Sequence, residues 1–97
     1  MSKAKYESEL KRCIADIIIS QVSDARLGWI TVNEVALSSD YRKARVFISI
    51  FGDEELSLMI LNNASGFIRH SLSKQLPWRR VPEISFDLYK QEWIGNE

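Results

Sequence analysis

A glycine stands where a helix least tolerates one. The run from Asp53 to about Leu76 reads as helical almost throughout, and Gly66 lies near its middle. Glycine in a helix interior costs about 1 kcal/mol relative to alanine, so a geometric requirement is expected behind it. On a wheel at roughly 100° per residue, Leu56, Met59 and Ile60 centre one apolar stripe, while Ile68, Leu72 and Leu76 centre a second. The two centres lie on the order of 120° apart, too far for one straight helix to bury both. Leu58 and Leu61 broaden the first stripe. The segment therefore reads as two helices joined at Ala64-Ser65-Gly66, small residues that let the backbone bend or another group approach.

The rest of the chain supplies partners for these helices. Residues 4–22 carry Tyr6, Leu10, Cys13, Ile14, Ile17 and Ile18 at helical spacing, a wide apolar stripe. Lys5/Glu9 and Arg12/Asp16 are opposite charges four apart on its outer face. The polar turn Ser23–Gly28 leads to a strand over Trp29–Leu37, with Trp29, Val35 and Leu37 on one parity and Ile30 and Val32 on the other. Trp29 and Phe47 are expected in the core. Ser38–Arg42 has turn chemistry, and in Lys43–Phe51 the residues Ala44, Val46, Ile48 and Ile50 alternate with Arg45, Phe47 and Ser49. So short a connection makes the two strands an antiparallel hairpin. Asp53 suits an N-cap with Glu54 and Glu55 behind it, and Pro77 stops the last helix at about Leu76. Ile84, Phe86 and Leu88 mark a third strand over Glu83–Tyr89, and Trp93 and Gly95 belong to a short tail. The order helix–strand–strand–helix–helix–strand predicts an α+β domain, a three-stranded sheet with helices packed on one face. All 97 residues are expected in one domain, with 1–3 and 91–97 as loose tails.

Charge and motif narrow the chemistry. The formal net charge is zero, but residues 1–51, 52–68, 69–80 and 81–97 carry +2, −3, +4 and −3. Arg69, Lys74, Arg79 and Arg80 thus form a local basic stretch, either a solvated helix face or a modest footprint for a polyanion. A single cysteine excludes an internal disulfide and a cysteine-based zinc site, and Cys13 is expected as a buried hydrophobe. The glycines at 28, 52, 66 and 95 stand singly, so no glycine-rich phosphate loop is formed. His70 is the one histidine, without a nucleophile or carboxylate partner by motif. No catalysis, metal, cofactor or small-molecule substrate is expected. Without a signal-peptide core or a membrane-length apolar run, the chain is expected in the cytoplasm and off the membrane.

Four stretches together resemble one family. They are Val22-Ser23-Asp24-Ala25-Arg26-Leu27-Gly28; Thr31–Asp40 followed by Ala44–Ser49; Asn63-Ala64-Ser65-Gly66-Phe67-Ile68-Arg69 through Leu72; and Arg80-Val81-Pro82-Glu83-Ile84-Ser85-Phe86. In this order and spacing they resemble the ribosome-binding factor A family over nearly the whole chain. Asn63–Leu72 matches the Ala-x-Gly kink that in this family replaces the GxxG loop of KH domains. Ala25 stands where the family usually has proline, and Tyr89 where an acidic residue is common. The sequence ends soon after the last predicted strand, so any C-terminal extension found in longer members is expected to be either missing or removed.

The resemblance implies a type II KH-like fold and a non-catalytic factor, a monomer, acting late in small-subunit assembly. It implies binding to the small ribosomal subunit and its 16S rRNA, support of 5′-end processing, importance in the cold, and a GTPase that aids release. KH domains clamp an RNA backbone at the loop that Ala64-Ser65-Gly66 would replace. A phosphate there would meet a helix N-terminus; alternatively the small residues serve only helix packing, which the wheel favours. For RNA contact the expected residues are Arg69, His70, Lys74, Arg79 and Arg80. Arg42, Lys43 and Arg45 at the hairpin end form a second patch, and Lys11 and Arg12 a third. Trp78 either stacks on a base or caps the core. The rival reading is a protein–protein adaptor without RNA contact.

Overall fold

The computed structural model describes residues 1–90. Helix α1 (Lys3–Gln21) is followed by β1 (Trp29–Leu37), β2 (Lys43–Phe51), α2 (Glu54–Asn63), α3 (Ser65–Gln75) and β3 (Glu83–Leu88). The Ser2 hydroxyl caps α1 by accepting from the Lys5 N–H, so the helix takes in Lys3. The sheet runs β1-β2-β3, with β1 antiparallel and β3 parallel to β2. The predicted tail at 91–97, with Trp93 and Gly95, lies outside the described residues.

The helices bury their apolar stripes against one face of the sheet. Leu10, Ile14 and Ile17 of α1 meet Val46 and Ile48 of β2 and Leu61, Ile68 and Leu72 of α2 and α3, all fully buried. Polar ties fix the layers. Glu7 accepts from the Leu37 N–H at 2.8 Å, holding α1 to the end of β1. The Ser71 hydroxyl donates to Gln21 at 2.8 Å between α3 and α1. Asn62 exchanges two hydrogen bonds with the Phe86 backbone, docking the end of α2 on β3. Asp53 caps α2 by accepting from the Leu56 N–H at 3.0 Å.

β1 does not keep the simple alternation its sequence predicts. The register passes from Val32↔Ile48 to Glu34↔Phe47, leaving Asn33 as an inserted residue whose side chain accepts from the Ser49 hydroxyl. A bulge changes parity, so Val32, Val35 and Leu37 all face the core although 32 and 35 differ in parity. Trp29, expected in the core, is instead 82 % exposed, opposite Phe51 on the open face of the sheet. Phe47 is likewise on that face, half-buried, with Glu34 and Asp87 beside it in register.

The two-stripe reading of the long helical run also needs correction. The break is real, at Ala64, but the buried residues form one stripe across it: Ser57, Leu61, Ile68 and Leu72, with the half-buried Ala64 between them at spacings of four and three and the expected Ile60 buried at its edge. Met59, expected at the centre of the first stripe, is half-exposed. Ser57 is fully buried because its hydroxyl accepts the Gly28 N–H at 3.0 Å. On α1, Arg12 pairs with Glu9 at 3.1 Å and not with Asp16.

Candidate nucleic-acid interface

The junction is a matter of one residue's backbone. Ala64 sits at φ −90°, ψ 3°, a departure in ψ from helical values. Its N–H is shared between the Ile60 and Leu61 carbonyls at 3.0 and 3.1 Å, and its own carbonyl accepts from Ile68 at 2.9 Å. Ala64 packs half-buried against the core, and no side chain caps the start of α3. Gly66 is different. It is exposed, its backbone is not left-handed, and a methyl group there would meet nothing within 4 Å. The packing role expected of the small residues thus belongs to Ala64 and does not extend to Gly66.

Gly66 begins a row of exposed positions on α3, continued by His70 and Lys74 at four-residue steps. Arg69 is partly committed: its Nε and Nη2 donate to the Val81 carbonyl at 3.3 and 3.2 Å, bracing the loop before β3. Arg79 and Arg80 are exposed in that loop. The hairpin end lies beside it, because the Arg42 carbonyl accepts from the Glu83 N–H at 2.9 Å and Lys43 is in register with Glu83. Arg45 projects from the open sheet face opposite Ser85. The hairpin end that carries Arg42 and Lys43 thus meets the start of β3, and its Tyr41 lines one cleft with Arg79 and Arg80. No hydrogen bond links Lys11 or Arg12 to either group, and Arg12 is held by Glu9, whose hydrogen bond raises the guanidinium's pKa.

Among the described residues the ion pairs are Arg12–Glu9 and Arg26–Asp24, so Arg42, Lys43, Arg45, Arg69, Lys74, Arg79 and Arg80 have no carboxylate partner there. Asp24 accepts from the Arg26 backbone N–H at 2.9 Å and from its guanidinium at 3.0 and 2.8 Å. These bonds, the guanidinium's above all, lower the Asp24 carboxyl to about 2. Asp24 and Arg26 stand at the edge of a cleft of about 370 Å³ between the end of α1 and the α2–α3 junction, with Met59 and Phe67 on its other side.

At the hairpin end Tyr6, Tyr41 and Trp78 form a cluster that sequence reasoning did not assemble. Tyr6 makes edge-to-face contacts with Tyr41 (5.4 Å between centroids) and Trp78 (4.9 Å). Trp78 is half-buried against the core. Tyr41 has φ 63°, the left-handed region. The one available signal was an aromatic residue between Asp40 and Arg42, where a turn favours glycine or asparagine. Among the described residues no cluster of His, Cys, Asp or Glu suits a metal ion, and no helix is long and apolar enough to cross a membrane.

Solved structures share this arrangement. The crystal structure of ribosome-binding factor A from Thermus thermophilus superposes with a TM-score of 0.84 at 33 % identity, covering 91 % of this chain and 97 % of that one. A Thermus thermophilus ribosome-binding factor A homology model, fitted into a cryo-EM map of a 30S complex of that factor, gives 0.78 at 33 % identity, covering 90 % and 94 %. With its α-β-β-α-α-β order and helices on one side of the sheet, the domain is of the type II KH-like class. The family model for ribosome-binding factor A matches residues 2–92. The Natranaerobius thermophilus ribosome-binding factor A is 47 % identical over 89 aligned residues, with 89 % of this chain and 68 % of that protein covered. This chain belongs to the ribosome-binding factor A family.

Proposed function

We propose that this chain binds 16S rRNA in immature small ribosomal subunits, in the cytoplasm, and assists their late maturation without catalysing a reaction itself. Support of 5′-end processing, importance in the cold, action as a monomer and release by a GTPase belong to the same reading. One observation carries it beyond family membership: Gly66, bare and without any neighbour to explain its bareness, lines up with His70 and Lys74 on the exposed face of α3. A glycine that the fold does not need leaves room for a group from outside. Close approach of an RNA backbone would put phosphate beside the first turn of α3, where N–H groups and the helix dipole favour an anion. Arg79, Arg80, Arg42 and Lys43 extend the positive surface, while Arg69 holds the loop that presents it.

Co-sedimentation with immature small subunits before and after nuclease treatment tests the reading. Binding that nuclease abolishes, and that weakens in a His70→Gln, Lys74→Gln double variant, is the expected result. Binding that survives removal of the RNA would make the chain a protein–protein adaptor instead.

A further inference from the structure

The aromatic cluster at the hairpin end has the chemistry of a nucleotide site. A cleft of about 380 Å³, within the size range of small-ligand clefts, is lined by Tyr6, Tyr41, Pro77, Trp78, Arg79 and Arg80 among others. An edge-to-face contact occupies one edge or one face of a ring, so Tyr41 keeps a face that Tyr6 does not cover, while Trp78 lines the cleft with the part of its ring that the core leaves exposed. Tyr41 is 40 % exposed at the mouth. Its left-handed backbone is disfavoured for an aromatic residue, and the turn holds it there through the Tyr41 N–H on the Ser38 carbonyl at 3.0 Å.

The cations around this cleft are unpaired among the described residues. Arg79 and Arg80 line it, and Arg42 and Lys43 adjoin through the Arg42–Glu83 backbone bond; none of the four is ion-paired among the described residues. The nearby acids are Asp40, Glu83 and Glu7, the last accepting from the N–H of the cleft residue Leu37 at 2.8 Å. Asp40 is engaged within its own turn, accepting from the Ser38 hydroxyl at 2.7 Å and the Arg42 N–H at 3.1 Å. An exposed aromatic ring beside guanidinium groups matches a base joined to a phosphate: bases stack on aromatic rings whatever their identity, and the guanidinium fork fits phosphate oxygens. An acidic peptide would use the arginines and leave the rings idle.

We propose that this cleft takes one unpaired RNA nucleotide, its base laid against Tyr41 and Trp78 and its phosphate held by Arg79 and Arg80. The proposal rests on the rRNA-binding reading and adds a second point of contact, at the opposite end of α3 from Gly66. Tyr41→Asn is the informative variant, because asparagine tolerates the left-handed backbone and removes only the ring. Affinity is measured by anisotropy for a fluorescein-labelled single-stranded RNA hexamer and for a labelled abasic ribose-phosphate backbone of the same length. Loss of one stacked base is expected to weaken hexamer binding roughly 5- to 150-fold, with abasic binding unchanged and Tyr41→Phe near wild type. Hexamer binding that Tyr41→Asn does not alter, or no preference of the wild type for the hexamer over the abasic chain, overturns the proposal. Sedimentation of the wild type with immature subunits separates the two readings: if it persists while Tyr41→Asn changes nothing, only the nucleotide cleft is refuted.

Discussion

Gly66 and Asp24 show how much a single side chain, or the lack of one, can be asked to explain. An alanine methyl at Gly66 would touch nothing within 4 Å, so Gly66→Ala is expected to fold normally and gain up to about 1 kcal/mol from helix propensity, read by urea denaturation. If that stable protein no longer sediments with immature subunits, the glycine serves the ligand and not the fold. At Asp24 the folded carboxyl titrates at about 2 against an ordinary 3.8. A depressed carboxylate pKa stabilises the fold above the unfolded value, and that contribution disappears as pH falls from about 4 to about 2. Carboxyl ¹³C titration by NMR should place Asp24 near 2 in the wild type and return it toward 3.8 in Arg26→Gln. The Asp24–Arg26 spacing was visible in the sequence as part of a family turn, but the three hydrogen bonds that set the pKa depend on how the turn closes.

Between elements, the contact of the β1 entrance with α2 and the end of β2 carries more than its polar residues suggest. The Gly28 N–H donates to the buried Ser57 hydroxyl, and a methyl at Gly28 would lie 2.5 Å from the Phe51 carbonyl oxygen. Ser57→Ala strands that N–H in the interior, a loss expected at about 1–3 kcal/mol in denaturant midpoint and checked by amide exchange at Gly28. The same serine explains why the helical wheel misplaced the first stripe. A pattern that counts apolar residues centres on Leu56, Met59 and Ile60, of which Ile60 is buried, whereas the buried row also runs through a serine whose partner lies 29 positions away in sequence. The bulge at Asn33 hid the face of β1 in a similar way, since period-two alternation assumes an unbroken ladder. Elements with uninterrupted patterns were legible: the stripe of α1, the alternation of β2 and β3, and the Asp53 cap all stand as their residues predict.

For the whole molecule, zero net charge does not preclude binding to a polyanion, because the cations are gathered and largely unpaired. With about four phosphates neutralised, log K for rRNA is expected to fall with log salt at a slope of about −3 to −4. Replacing Lys74, Arg79 and Arg80 by glutamine should flatten that slope while circular dichroism stays unchanged, and an unaltered slope would place the contact elsewhere. Arg69 is left out of this set because its loss would free the Val81 loop. The sequence by itself determined the order of elements, a break between two helices within Ala64-Ser65-Gly66, the α+β class and the family resemblance, since each rests on local periodicity, capping chemistry or residue spacing. Only the tertiary structure decided that β3 lies parallel beside β2, that Trp29 faces outward, and that Arg42 and Lys43 meet the start of β3 at Glu83, with Tyr41 in one cleft with Arg79 and Arg80. It also separated Ala64, which packs, from Gly66, which does not. Strand pairing and side-chain neighbours join residues far apart in the chain, and no local pattern encodes which of them will meet.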